Sequence, residues 1–592
     1  MTGRGRAAPV VAGLVVGAWV LAFRRYGFYD LADEGLLLAQ AARAAAGERP
    51  YSDFHTGYGP LYFAIHAALV RAGGLEAIRA ALAAVHGVTA GLLFAVARAL
   101  GGPALAVAAV ALHVAFFLPL APATGAPFNV PYPAWWAGLG GALIALLLAH
   151  GATRVGPLAL AGAVAGAVFA VKPNSGALLA AGAAVACVTT GGAAGRSRFV
   201  AGGVVLLALL VVVLLVAPTG ASGIALVLVA PVAALAWRTR GLVASDAATL
   251  PRLAALGAGF LVVAATTLGP TVAALGPTRF RHEVLHLGTG VADLFLLPIG
   301  WPAVVATVLG LAALAAGTPR AAVLAGLALL AAAVASGAPD AASPLAGLRL
   351  GAERAAMAVV PLTLLGGIAL LGREARIAPV LAVAVLGAAQ LYPRPDFDHL
   401  MPLASLFLPL AMLVWRDALE RVGIPAARAA TVACGVALVL AAGRFLPSGR
   451  ALVGVVGGGA AAVRLPGETL LALPEGRARL EAIAAAAAAV AESTTAEDRI
   501  LAFPACAAVP FLAGRLPAGP HDYFYPGRPT REEVAALVGR LRPAPPPVAV
   551  TCDAPGRLAL AWESYPEMVE LLERRYRVVL DRSPVTVRRR ID

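Results

Sequence analysis

Most of this chain is a succession of apolar runs about 20 residues long, each able to cross a hydrocarbon core of about 30 Å. Hydrophobic continuity places them at 8–23, 76–98, 103–121, 135–150, 155–171, 175–191, 199–217, 222–237, 252–275, 299–317, 320–336, 355–372, 377–392, 401–415 and 424–444. The runs are continuous and do not alternate, which excludes an outer-membrane β-barrel. The expected fold is therefore a polytopic α-helical membrane protein with about 13–15 transmembrane helices. Residues 60–71 are too few to span comfortably and read as an amphipathic helix lying at the membrane interface.

The pattern changes near residue 465. A helical Ala/Glu/Arg stretch over 468–490 is followed by a strand at 498–504, a helix at 531–538 and strands at 548–551 and 576–580. Strands alternating with helices predict a small α/β domain. Two units follow: a transmembrane domain over 1–450, which includes a polar loop at 24–75, and a soluble extracytoplasmic domain over 465–592. Between them the glycine-rich stretch 454–459 reads as a flexible linker.

Composition sharpens this picture. Of 592 residues, 60% are hydrophobic and only 13% charged, about half the charged share of a soluble domain. The net charge of +14 does not indicate a nucleic-acid partner. Its arginines sit in short loops such as those around Arg98, Arg154, Arg238 and Arg373, where the positive-inside bias puts them. That bias places the N-terminus in the cytoplasm, ahead of an uncleaved first helix, in a multi-pass protein of the plasma membrane. The basic loops do not alternate perfectly with the spans, so at least one short span is expected to be miscounted. The unusual loops, 24–75, 121–134, 277–298, 337–354 and 392–400, fall on the outer face together with the C-terminal domain. Cys187 and Cys434 lie in apolar runs and read as small core residues. Cys506 and Cys552 can pair if the tail is extracytoplasmic, but two cysteines make no disulfide framework, and the sequence leaves their pairing open.

Candidate chemistry gathers in the outer loops. Asp33 and Glu34 follow the first span directly, beside Asp30, Glu48, Asp53 and His55. Adjacent carboxylates at a membrane face repel each other and lose hydration. One of them could act as a general base on an acceptor hydroxyl. The alternative is that they merely cap the helix that follows. Lys172, the only lysine in the chain, sits between two spans and either meets a lipid-linked phosphate or snorkels to the interface. In the loop around Tyr392-Pro-Arg-Pro-Asp-Phe-Asp-His399, Arg394 can grip a phosphate through its planar fork, with Asp396, Asp398 and His399 as hydrogen-bonding or acid–base groups. Arg279 and Arg281 offer headgroup contacts. His282, Glu283 and His286 fit a His-Glu-x-x-His zinc-protease pattern, though without an evident third ligand. The loop 121–133 has no acidic residue, which leaves Asn129 and Tyr132 as its polar candidates.

Asp33-Glu-Gly35, a short helix, Gly47-Glu-Arg-Pro-Tyr-Ser-Asp-Phe54 and Tyr58-Gly-Pro-Leu-Tyr62 together resemble the first outer loop of GT-C glycosyltransferases. The resemblance is to bacterial relatives of the protein O-mannosyltransferases and of the lipid A aminoarabinose transferase. Gln390 to Leu400 resembles a Pro-Arg-x-Asp-x-x-His element of the same superfamily. The resemblance implies a polyprenyl-phosphate sugar donor and an envelope glycan, lipid or protein acceptor. It puts Asp33 in the role of base, with Glu34 beside it. Arg394 and Lys172 would then hold the donor phosphate, and Asp53, His55, Asp396, His399, Arg279 and Arg281 would support the acceptor. No cofactor is demanded, and a divalent cation stays open. Two other classes stand beside this reading. A transporter or lipid flippase would show repeated halves, and a zinc metalloprotease rests on residues 282–286 alone.

Overall fold

The computed structural model describes residues 3–189, 222–239, 249–286, 296–316, 319–337, 344–425, 448–553 and 556–591, with a few single positions between 426 and 447. The expected span 199–217, nearly all of 424–444 and Cys434 lie outside the described residues.

Five of the described helices are long and apolar enough to cross a membrane: Pro60–Gly101, Pro133–Gly151, Thr249–Leu275, Ala346–Leu370 and Phe397–Arg421. Shorter apolar helices fill the other expected spans, among them Ala7–Ala22, Val155–Val171, Pro173–Thr189 and Trp301–Ala316. The first seven helices are α1 (Gly3–Ala22), α2 (Asp33–Ala45), α3 (Pro60–Gly101), α4 (Pro103–Leu112), α5 (Pro133–Gly151), α6 (Val155–Val171) and α7 (Pro173–Thr189).

Proline marks the starts. Pro60, Pro103, Pro133 and Pro173 each open a helix, where a missing N–H costs nothing and φ is already set. The residue before proline is pushed towards extended backbone. This is why Lys172, at φ −145° and ψ 95°, interrupts what would otherwise be one helix from 155 to 189. Within α3 the backbone breaks at Gly73 and Gly74, the latter at φ 61°. The break separates the expected short helix 60–71 from the long apolar one. Glu468 accepts from the Leu75 N–H at 3.1 Å and so restarts the helix beyond it.

The C-terminal unit holds seven strands: β1 (Ala461–Leu465), β2 (Glu468–Ala472), β3 (Arg499–Phe503), β4 (Leu516–Pro517), β5 (Val548–Cys552), β6 (Tyr576–Arg582) and β7 (Val585–Arg590). β1 and β2 form an antiparallel hairpin, and the others form one sheet in the order β4-β3-β5-β7-β6. β3 runs parallel to β4 and β5, and β7 runs antiparallel to β5 and β6. The expected strands and the helix Arg531–Leu541 are present. The expected helix over 468–490 is corrected at its start. Residues 468–472 pair with β1, and the helix opens only at Pro474. The glycine stretch is also corrected. Helix persists to residue 456, and a Cβ on Gly454 would lie 2.5 Å from the Leu473 side chain. That glycine packs closely, so the stretch is not a loose linker there.

The two units enclose the first polar loop between them. Gly27 N–H donates to the Leu471 carbonyl at 2.8 Å, and Leu471 N–H donates to Arg25 at 2.7 Å, so the hairpin edge pairs with the loop. Arg479 donates to the Phe28 carbonyl at 2.6 Å. Gly35 lies so close to Ala508 that a Cβ there would come within 2.6 Å of its backbone nitrogen.

Cys506 and Cys552 form a disulfide, with Cα atoms 5.8 Å apart. The sequence alone leaves this pairing open; parallel strands β3 and β5 lie side by side, Cys552 ends β5, and Cys506 lies three residues past the end of β3. The bridge closes a sequence separation of 46 residues, for which loop-closure entropy gives about 4 kcal/mol of stabilisation. Melting the purified protein with and without reductant should therefore lower the transition of the C-terminal unit by several degrees. An unchanged transition would mean that the bridge contributes nothing.

Candidate active site

One cavity of about 380 Å³ lies where the first loop, the membrane helices and the C-terminal unit meet. Asp33, His55, Tyr58, Tyr132, Lys172, Gln390, Arg394, Asp398 and His399 line it from the transmembrane unit, and His521, Tyr523, Tyr525 and Arg528 from the C-terminal one.

Asp33 is the first residue of α2, but it does not cap that helix. Asp30, ahead of the helix, binds the entering backbone instead: its carboxylate accepts from the N–H groups of Ala32 at 2.9 Å and Asp33 at 3.0 Å. This leaves the Asp33 carboxylate directed into the cavity, where the Tyr132 hydroxyl donates to it at 3.2 Å. Burial, then the charge of Asp30, push the Asp33 carboxyl up to about 6, against the opposing pull of Arg394 and His399. A carboxylate poised there is mostly ionised at neutral pH and still basic enough to accept a proton.

Arg394 stands between extended residues next to Asp396, 3.5 Å from its carboxylate. Burial opposes its charge, but Asp396 and then Asp33 more than compensate, so it stays charged. Asp396 caps the short helix Phe397–Leu400 by accepting from the His399 N–H at 2.9 Å. It also holds the His399 ring at 2.6 Å. Burial would raise the Asp396 carboxyl, yet the bond to His399 and the charges of His399 and Arg394 hold it below the usual range. Lys172 enters the cavity because Pro173 breaks the helix beside it. Burial lowers its ammonium to about 8.

Other expected residues are placed elsewhere. Glu34 is fully buried, 2.8 Å from Arg79 and accepting the Tyr29 N–H at 2.7 Å. It fastens the loop to α3 and lies outside the cavity lining. Asp53 accepts the Arg49 N–H at 2.7 Å within an exposed turn. Arg279 donates to the Tyr51 carbonyl at 2.6 Å, Arg281 is exposed, and neither lines the cavity. Asn129 is buried and donates to the Phe23 carbonyl at 2.9 Å, while Tyr132 reaches the cavity.

Of the zinc-protease pattern, only His282 and Glu283 have described side chains. Glu283 turns towards His55, at 3.5 Å, and His282 is exposed. The side chain of His286 lies outside the described residues. Among the described residues, no group of three or more His, Cys, Asp or Glu is arranged to hold a metal ion.

Sequence reasoning missed the segment His521-Asp-Tyr-Phe-Tyr-Pro-Gly-Arg528. Its signal is the same density of aromatic and charged residues that singled out the first loop. Asp522 is buried in an ion pair with Arg43 of α2 at 2.8 Å, and Phe524 is buried in the C-terminal core. His521, Asp522, Tyr523 and Tyr525 all line the cavity. The His521 ring stacks on His55 with centroids 4.7 Å apart. Burial, then the proximity of His55, push the His521 imidazole down to about 3, so it stays neutral.

No family model and no curated protein matches the sequence. Solved structures do match in overall architecture. ArnT from Cupriavidus metallidurans bound to undecaprenyl phosphate is similar over 99% of this chain and 98% of its own, at 14% identity and TM-score 0.38. Archaeal oligosaccharyltransferase AglB from Archaeoglobus fulgidus, in complex with an inhibitory peptide and a dolichol-phosphate, is similar over 96% of this chain and 72% of its own, at 11% identity and TM-score 0.41. At such identities and TM-scores the likeness assigns no chemistry, which rests on this chain's own residues.

Proposed function

We propose that this protein is a GT-C type glycosyltransferase that moves a sugar from a polyprenyl-phosphate donor to a cell-envelope acceptor at the outer face of the membrane. The observation that carries the reading is the placing of Asp33, Arg394 and Lys172 in one cavity, from three segments far apart in sequence. Asp33 takes the proton of the acceptor hydroxyl. The oxygen then attacks the anomeric carbon, the bond from that carbon to the phosphate oxygen breaks, and polyprenyl phosphate leaves with the electron pair. Arg394 and Lys172 hold the charge that grows on the departing phosphate. Tyr132 fixes the carboxylate, and the Asp396–His399 pair fixes Arg394.

The two cations are separable. A bidentate arginine is poorly replaced by lysine, so Arg394→Lys should weaken polyprenyl-phosphate binding by about tenfold, the loss of roughly one charge-assisted hydrogen bond. Lys172→Arg should be tolerated, because it supplies charge at a point. Titration of polyprenyl phosphate into each variant measures both. If Arg394→Ala and Lys172→Ala both bind the lipid like wild type, the phosphate sits elsewhere and this reading of the cavity fails.

A further inference from the structure

Three cations line the cavity, and their surroundings differ. Arg394 has Asp396 beside it and acts on Asp33, Tyr58 and Tyr523. Lys172 has no ion-pair partner among the described residues and adjoins the membrane helices. Arg528 lines the same cavity from the C-terminal unit. The acids whose charge it feels are Glu283 and Glu533, and it acts in turn on His521. Both acids are engaged elsewhere: Glu283 with His55 at 3.5 Å, and Glu533 with the Thr530 N–H at 2.8 Å in a helix cap. No carboxylate among the described residues pairs with the Arg528 guanidinium.

The backbone that carries Arg528 is held firmly. Tyr525 N–H and Arg528 N–H each donate to the other's carbonyl, at 2.8 and 2.7 Å, around Gly527 at φ 84°. The Tyr565 hydroxyl donates to the Pro529 carbonyl at 2.6 Å from below. Phe524 is buried, and its N–H donates to Pro504 at 2.8 Å. The turn therefore holds Tyr523, Tyr525 and Arg528 at the cavity wall, with the two tyrosines packed beside Ala32, Ala505 and Leu558. The two tyrosine rings lie parallel, 4° apart, with centroids 6.3 Å from each other. Such faces suit the apolar side of a sugar ring, and a half-buried arginine without a counter-charge suits an anion.

We propose that Tyr523, Tyr525 and Arg528 form a second anion subsite, distinct from the donor-phosphate position, which takes a sugar bearing an acidic group as part of the acceptor. The proposal rests on the glycosyltransferase reading for the word acceptor, but the subsite itself can be tested apart from it. Saturation-transfer NMR on the full-length protein in detergent would use three probes: a hexose 6-phosphate, a hexuronic acid and the neutral methyl hexoside. Polyprenyl phosphate would be titrated in parallel.

Wild type should bind at least one acidic sugar more strongly than the neutral one, and the preferred probe distinguishes phosphate from carboxylate. Arg528→Gln should weaken that binding by about tenfold, Arg528→Lys should restore part of it, and both should bind polyprenyl phosphate like wild type. An unchanged melting temperature would show that the variants are folded. The subsite is overturned if wild type shows no preference for acidic sugars, if Arg528→Gln binds them equally well, or if polyprenyl-phosphate binding falls in step, which would assign Arg528 to the donor. Wild type that fails to bind polyprenyl phosphate but keeps an Arg528-dependent acidic-sugar site would overturn the transferase reading and leave the subsite standing.

Discussion

Asp33→Asn should abolish nearly all turnover while leaving the cavity intact. The change keeps shape and removes the proton acceptor, so release of polyprenyl phosphate from a lipid-linked sugar should slow by about 100-fold or more. Binding of polyprenyl phosphate should change little, because Asp33 does not carry the phosphate. In wild type the rate should follow the ionised form of Asp33. With the carboxyl near 6, activity is full above about pH 7 and falls as pH drops through 6, about tenfold by pH 5. The low-pH limb should be absent from the residual activity of Asp33→Asn. Wild-type turnover in the variant would remove Asp33 from the mechanism. Glu34→Gln, by contrast, should act on stability, since Glu34 faces Arg79 and not the cavity.

The second large effect is at that ion pair. Arg79 is 1% exposed and donates to the carbonyls of Arg24 at 2.8 Å and Gly27 at 3.0 Å as well as to Glu34. Arg79→Met would leave Glu34 charged, fully buried and without its cation. Removing one partner of such a pair costs about 3–5 kcal/mol. The loop bearing Asp33 should loosen with it. The double variant Glu34→Gln with Arg79→Met should recover much of the loss, because no unpaired charge then remains. Thermal melts of the three proteins would measure this coupling. Equal losses in the single and double variants would mean that the pair contributes only through packing.

The sequence carried the membrane class, the approximate places of the apolar helices and three of the seven described strands of the C-terminal unit, because each depends on local hydrophobic pattern. It carried the cavity residues Asp33, His55, Tyr132, Lys172, Arg394 and His399, because charge in an apolar chain stands out. The local charge pattern alone could not separate Asp33 from Glu34, which are adjacent in sequence; only the resemblance of the first outer loop singled out Asp33. Only the fold places the Asp30 carboxylate on the backbone of Ala32 and Asp33, and Arg79 opposite Glu34. It also left Arg279 and Arg281 as candidates, although one holds the Tyr51 carbonyl and the other is exposed. The disulfide and the cavity wall from His521 to Arg528 depend on contacts across long separations, such as Arg43 with Asp522. No local pattern encodes such contacts.

The central claim is that one cavity built around Asp33 consumes a polyprenyl-phosphate sugar. Mass spectrometry of lipid-linked sugars and envelope glycans, in cells whose only copy carries Asp33→Asn, tests it most directly. The account predicts that one polyprenyl-phosphate sugar accumulates and that the same sugar disappears from one envelope component. Unchanged lipid-linked sugars and an unchanged envelope, with the variant present at wild-type abundance, would contradict it.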